Sequence, residues 1–149
     1  MRLMEEADKS LYQVKQGGRN DFRVSDMGPD GNGAYDAAHP TVAYAAAHDE
    51  YLLCWAADDD LAGVVDEEDE IFCQRLAAAT GAEVGANDFR VSAMGPDGDS
   101  TFDAVRPWVA YSAARDLYPA VWYGDTGTGG LVNDALEPFA QGLAAEPGA

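Results

Sequence analysis

The sequence predicts an all-β fold: two four-stranded units, the second incomplete, behind a short N-terminal α-helix. Three observations predict it. An internal repeat with a constant offset of 67 residues runs from Asn20 to the last residue. Short apolar runs bounded by Asp, Gly and Pro turns recur inside each copy. The composition also changes abruptly at residue 20, beyond which there is no lysine.

The first element is the helix. Met4, Ala7, Leu11 and Val14 follow the spacing of an amphipathic helix, and Gly17-Gly18 supplies its stop. Residues 1–19 carry four basic and three acidic groups, against five arginines and twenty-four carboxylates in the remainder. The chain therefore divides into 1–19 (helix), 20–86 (repeat one) and 87–149 (repeat two, truncated).

The repeat carries the rest. Asn20-Asp21-Phe22-Arg23-Val24-Ser25 recurs as Asn87-Asp88-Phe89-Arg90-Val91-Ser92, and Met27-Gly28-Pro29-Asp30-Gly31 as Met94-Gly95-Pro96-Asp97-Gly98. Without a gap, Val42-Ala43-Tyr44 matches Val109-Ala110-Tyr111, Trp55 matches Trp122, and Phe72, Gln74 and Leu76 match Phe139, Gln141 and Leu143. Ala149 matches Ala82, so the second copy stops inside a unit, and neighbouring units are expected to cover its faces.

Within the first copy, Thr41–Ala46 and Tyr51–Trp55 read as a hairpin across Ala47–Glu50. Glu70–Leu76 then leads through Thr80-Gly81 and Val84-Gly85 into Asp88–Ser92. Four short strands with such turns match a propeller-like blade, although a 67-residue period exceeds the roughly 40 to 50 residues of common blades. In the second copy Pro119 and Pro138 replace Leu52 and Ile71, and Gly142 replaces Arg75. A proline cannot donate to a ladder, so these strands are expected at edges or poorly formed.

The charge excludes some partners. Twenty-seven acidic against nine basic side chains give −18, which repels phosphate backbones and argues against nucleic acid. Two readings suit such a surface: solubility in high salt, as in halophilic proteins, or an acidic, calcium-rich extracellular protein. No apolar run is long enough to span a membrane, and the N-terminus lacks the layout of a secretory signal. As written, the chain is expected to remain cytoplasmic.

Candidate sites follow from the turns. Asp97, Asp99 and Asp103 place oxygens at alternating positions, and Asp30, Asn32 and Asp36 nearly do the same. Such oxygens suit Ca²⁺, though the EF-hand spacing is not met; the alternative is a solvated turn bonded to its own amides. The acidic run Asp58-Asp59-Asp60 and Asp66–Glu70 reads as a solvated loop, and because its copy is largely neutral it argues against a shared metal site there. Cys54 and Cys73 lie on neighbouring predicted strands, where a disulfide is conceivable. Their counterparts are Val121 and Ala140, which favours small buried thiols. His39 and His48 align with Arg106 and Arg115, placing a cationic or hydrogen-bonding group on the hairpin loop, with no zinc set. Tyr44, Tyr51, Trp55 and their copies Tyr111, Tyr118 and Trp122 read as inter-blade core rather than a sugar platform, and Trp108, unmatched, as exposed. No catalytic constellation is assignable.

Two resemblances follow from these residues. Phe-Arg-Val-Ser-x-Met-Gly-Pro-Asp-Gly, then Pro-x-Val-Ala-Tyr, Tyr-x-x-x-Trp and Glu-x-Phe-x-Gln-x-Leu resembles a long bacterial repeat found in tandem in large secreted or surface-exposed proteins. It covers residues 20–149. The resemblance implies β-propeller-like blades, export of the parent protein, and binding or scaffolding without chemistry; apart from Ca²⁺ at the acidic turns, no cofactor is expected. The expected partners are further repeat units, self-association through open blade edges, or a protein or carbohydrate ligand. Ala7–Asn20 is similar to the last helix and exit turn of the GGDEF (diguanylate cyclase) domain, without that family's signature or metal-binding carboxylate. A break joining two genes at Arg19-Asn20 accounts for both segments. The alternative is a fragment of a cyclic-di-GMP signalling protein that lacks its catalytic core.

Overall fold

The computed structural model describes residues 23–59, 64–127, 130 and 134–145. The helix expected over residues 1–19 lies outside them. Among the described residues the chain is all-β and holds no helix.

Seven strands form two antiparallel sheets. Sheet one is an up-and-down sheet of β1 (Ala37–Ala45), β2 (Glu50–Ala57), β3 (Glu70–Ala77) and β4 (Glu83–Arg90), in that order. Sheet two contains β5 (Ala104–Val109), β6 (Leu117–Gly124) and β7 (Glu137–Ala144). The expected hairpins are present in register, with Val42 opposite Leu53 and Trp55 opposite Phe72.

The backbone repeats as faithfully as the sequence. Residues 39–40 stand opposite Trp55 alone, and residues 106–107 opposite Trp122 alone, so β1 and β5 carry the same bulge. His39 and Arg106, the bulge residues, both have φ 53°, which places them in the strands rather than on the hairpin loop. The hairpin turns are closed by Asp49 at φ 48° and Asp116 at φ 51°. Asp tolerates this left-handed region because its short side chain bonds locally. Each also accepts from a cross-strand tyrosine, Tyr44 to Asp49 at 2.9 Å and Tyr111 to Asp116 at 2.6 Å.

The sheets stack face to face, with β5 lying over β1 and β2. The rear face of sheet one, with Leu52, Cys54, Ala56, Ile71 and Cys73, packs on the front face of sheet two, with Val109, Tyr118, Ala120 and Trp122. A second cluster covers the front of sheet one, where Val24 and Met27 sit against Trp55, Ala57, Val64 and Phe72. Trp55, Trp122 and Tyr118 are buried as expected of the core and Trp108 is exposed as expected, whereas Tyr44 and Tyr51, expected in the core, are exposed.

Three further findings differ from the sequence reading. Cys54 and Cys73 are directly opposite each other and form a disulfide rather than buried thiols. Pro119 lies within β6, the central strand of its sheet, rather than in an edge or poorly formed one. Its carbonyl accepts from the Ala110 amide on the β5 side, so its missing N–H falls there too, and β5 stops at Val109. Pro138 does lie on the edge strand β7. Finally, the Asp58–Glu70 run is not a simple solvated loop: Asp58, Asp59, Glu68 and Glu70 are buried.

Candidate functional site

The six candidate calcium residues take matched positions in the two copies. Asp30 pairs with Arg23 at 3.0 Å and Asp97 with Arg90 at 2.8 Å. Asn32 accepts from the Ala34 amide at 3.1 Å and Asp99 from the Thr101 amide at 3.0 Å, so both make an Asx turn. The amides of Asp36 and Asp103 donate to Asp58 at 2.6 Å and Asp125 at 2.8 Å. Burial, more than neighbouring carboxylates, pushes the Asp103 carboxyl above its ordinary range. Among the described residues no group of three or more His, Cys, Asp or Glu side chains is placed to share a metal ion.

Asp58 and Asp125 form a pair of clamps that the sequence reading missed. Asp58 also accepts from the Glu67 amide at 2.8 Å, and Asp125 from the Asp134 amide at 2.9 Å. Each carboxylate thus ties two distant loops of its own copy together. Glu67 and Asp134 meet these bonds from left-handed conformations, φ 61° and 65°. A signal was present: Asp58 is retained as Asp125 where its neighbours Asp59 and Asp60 become Thr126 and Gly127.

A third carboxylate joins the two copies. Glu70, fully buried, accepts from Arg90 Nη2 at 2.8 Å and from the Met94 amide at 2.7 Å through Oε1. Its Oε2 accepts from the Ser92 hydroxyl, which in turn accepts from the Ile71 amide at 2.7 Å. Desolvation dominates here: burial holds the Glu70 carboxyl above its ordinary range despite these donors. The repeated motif Phe-Arg-Val-Ser-x-Met of the second copy therefore completes the sheet of the first. Gln74 accepts from the Asp88 amide at 2.8 Å, and Arg75 lies 4.7 Å over the Phe89 ring.

Further bonds cross the same junction. The Glu68 carboxylate accepts from the Gly98 amide at 3.0 Å and the Asp69 backbone carbonyl from the Ala104 amide at 2.7 Å. Tyr118 donates to Glu50 at 3.0 Å, and His48 meets Asp116 at 2.6 Å. An open cleft of about 430 Å³ is lined in part by Asp36, Asp58, Asp66, Glu67 and Asp69. Burial first, then the charges of Asp103 and Asp58, push the Asp69 carboxyl up to about 6.

These arrangements hold backbone and join copies. In comparisons with known proteins, no family model, curated protein or solved structure matches the chain.

Proposed function

We propose that the chain is a non-enzymatic binding or structural module from a repetitive, surface-exposed or secreted bacterial protein of β-propeller type. The observation that carries this reading is the Glu70 junction, in which the recurring motif of one copy closes the sheet of the copy before it. A motif spent on joining copies belongs to an array whose units serve each other. The carboxylates of Asp58, Asp125 and Glu70 support the same reading, because their oxygens are used on amides, a hydroxyl and an arginine rather than left to face a substrate. The Cys54–Cys73 disulfide supports an oxidising compartment for the parent protein.

Calcium belongs to this proposal as the ligand of the turns at Asp30, Asn32 and Asp36 and at Asp97, Asp99 and Asp103. Binding would compete with Arg23 and Arg90 for Asp30 and Asp97. A melting temperature that rises with millimolar Ca²⁺ at constant ionic strength reads that binding; an unchanged one removes calcium from the proposal.

The test of the module is surface labelling of intact source cells with a membrane-impermeant reagent, followed by non-reducing peptide mapping. Labelled chain with Cys54 linked to Cys73 is the expected result. Chain that is labelled only after lysis, with both cysteines reduced, overturns it.

A further inference from the structure

We infer that the front face of sheet one and the rear face of sheet two are the two halves of one interface, filled head to tail by a second copy of this chain. The inference rests on the module reading above and gives it a partner.

The template is the junction inside the chain. Residues that this junction buries on one copy are exposed on the other, in the complementary sense. On the front face Val109 is 5 % exposed and its counterpart Val42 56 %; Tyr118 is 0 % and Tyr51 38 %. On the rear face Ala56 is 2 % and Tyr123 50 %; Cys54 is 0 % and Val121 43 %. Trp108, 71 % exposed, stands beside Val121 on that rear face. An apolar front and an apolar rear on one molecule define a heterologous contact, which propagates or closes into a ring.

The edge of sheet two repeats the logic. Among the described residues β7 pairs with β6 and with no strand on its other side. Glu70 and Gln74, buried under the second copy's motif, have kept counterparts in Glu137 and Gln141, both exposed, although Ile71 and Arg75 have become Pro138 and Gly142. The residues that would cover Glu137 are present as Arg23–Gly28, which differs from Arg90–Gly95 only by Asp26 in place of Ala93. Pro138 lacks the amide that Ile71 donates to Ser92, so the edge offers one bond fewer.

Asp26 gives the interface a built-in competitor. Arg90 binds Asp97 through Nη1 and Glu70 through Nη2. Arg23 binds Asp30 through Nη1 in the same way, but its Nη2 is held by Asp26 at 3.0 Å. Docking exchanges Asp26 for Glu137 of the next molecule. Removing Asp26 frees the guanidinium and also removes one like charge from a chain of net charge −18.

Sedimentation velocity of the full chain over a range of concentrations, in molar NaCl to screen that charge, tests the inference. Wild type is expected to associate with concentration. Asp26→Ala should tighten association and Glu137→Gln weaken it, each by about tenfold in Kd. The front variant Val42→Asp/Tyr51→Asp and the rear variant Trp108→Asp/Tyr123→Asp should each be monomeric alone. Mixed, they should form heterodimers and nothing larger, because one intact front meets one intact rear. All substitutions lie at exposed positions, and thermal melts confirm folding. A wild type that stays monomeric, unchanged Kd in both edge variants, or front and rear variants that fail to pair would each overturn the interface. None of these outcomes alters the surface-labelling result, so the module reading stands or falls separately.

Discussion

Glu70 and Glu137 occupy the same position in the two copies, yet Glu70→Gln and Glu137→Gln should differ sharply in the isolated molecule. Glu70 takes three donors into a fully buried site: the Arg90 guanidinium, the Met94 amide and the Ser92 hydroxyl. A glutamine keeps the shape but presents one acceptor oxygen and an NH₂ group. Bonds to a charged group contribute about 1.5–3 kcal/mol each against about 0.5–1.5 for neutral ones, so the three together lose about 3 kcal/mol. Relief of the desolvation that raises the Glu70 carboxyl offsets part of this, leaving a net loss of about 2 kcal/mol. Glu137, exposed on the edge of β7, should change stability by less than about 0.5 kcal/mol. Urea denaturation at a concentration where the chain is monomeric measures both. Equal losses in the two variants, or a Glu70→Gln loss below about 0.5 kcal/mol, would refute the assignment of Glu70 as the junction between copies.

Other perturbations follow from the same geometry. Asp58→Asn and Asp125→Asn each set an amide NH₂ against a backbone N–H, and each should cost about 1–3 kcal/mol in thermal unfolding; a neutral pair of variants would mean that the clamps are incidental. Reducing the Cys54–Cys73 disulfide, which spans 19 residues, should cost about 3 kcal/mol, read as a lower urea midpoint in dithiothreitol. An unchanged midpoint would show that the bond contributes no stability. For pH, Asp69 and Asp88 are raised from 3.8 to about 6 chiefly by burial, so the folded state binds more protons than the unfolded state between these values. Their stabilising contribution is complete below pH 3.8 and is lost as pH rises through about 6. Melting temperature at pH 5 should therefore exceed that at pH 7.5 at fixed ionic strength; the opposite slope would contradict both burial assignments.

The local features were legible in the residues themselves. The hairpins around Ala47–Glu50, the strand at Glu70–Leu76 and the equivalence of the two copies all rest on apolar patterning and turn chemistry within a few residues. Trp108 was legible as exposed because nothing in the other copy matches it. Even the Asp58 clamp left a trace, as an aspartate kept where its loop had diverged. The junction left a fainter one. Asn87–Arg90 opens the second copy of the repeat and, following Val84-Gly85, also reads as the outer strand of the first; in space it is the end of β4 and belongs to the first copy's sheet. Whether Cys54 meets Cys73 as a bond or packs as two thiols, and whether Pro119 sits at an edge or in a central strand, depends on which strands become neighbours. Sequence alone therefore determined the period, the strands and their polarity. Tertiary structure decided the use of Glu70, because a buried carboxylate is stable only where donors far apart in the chain converge on it.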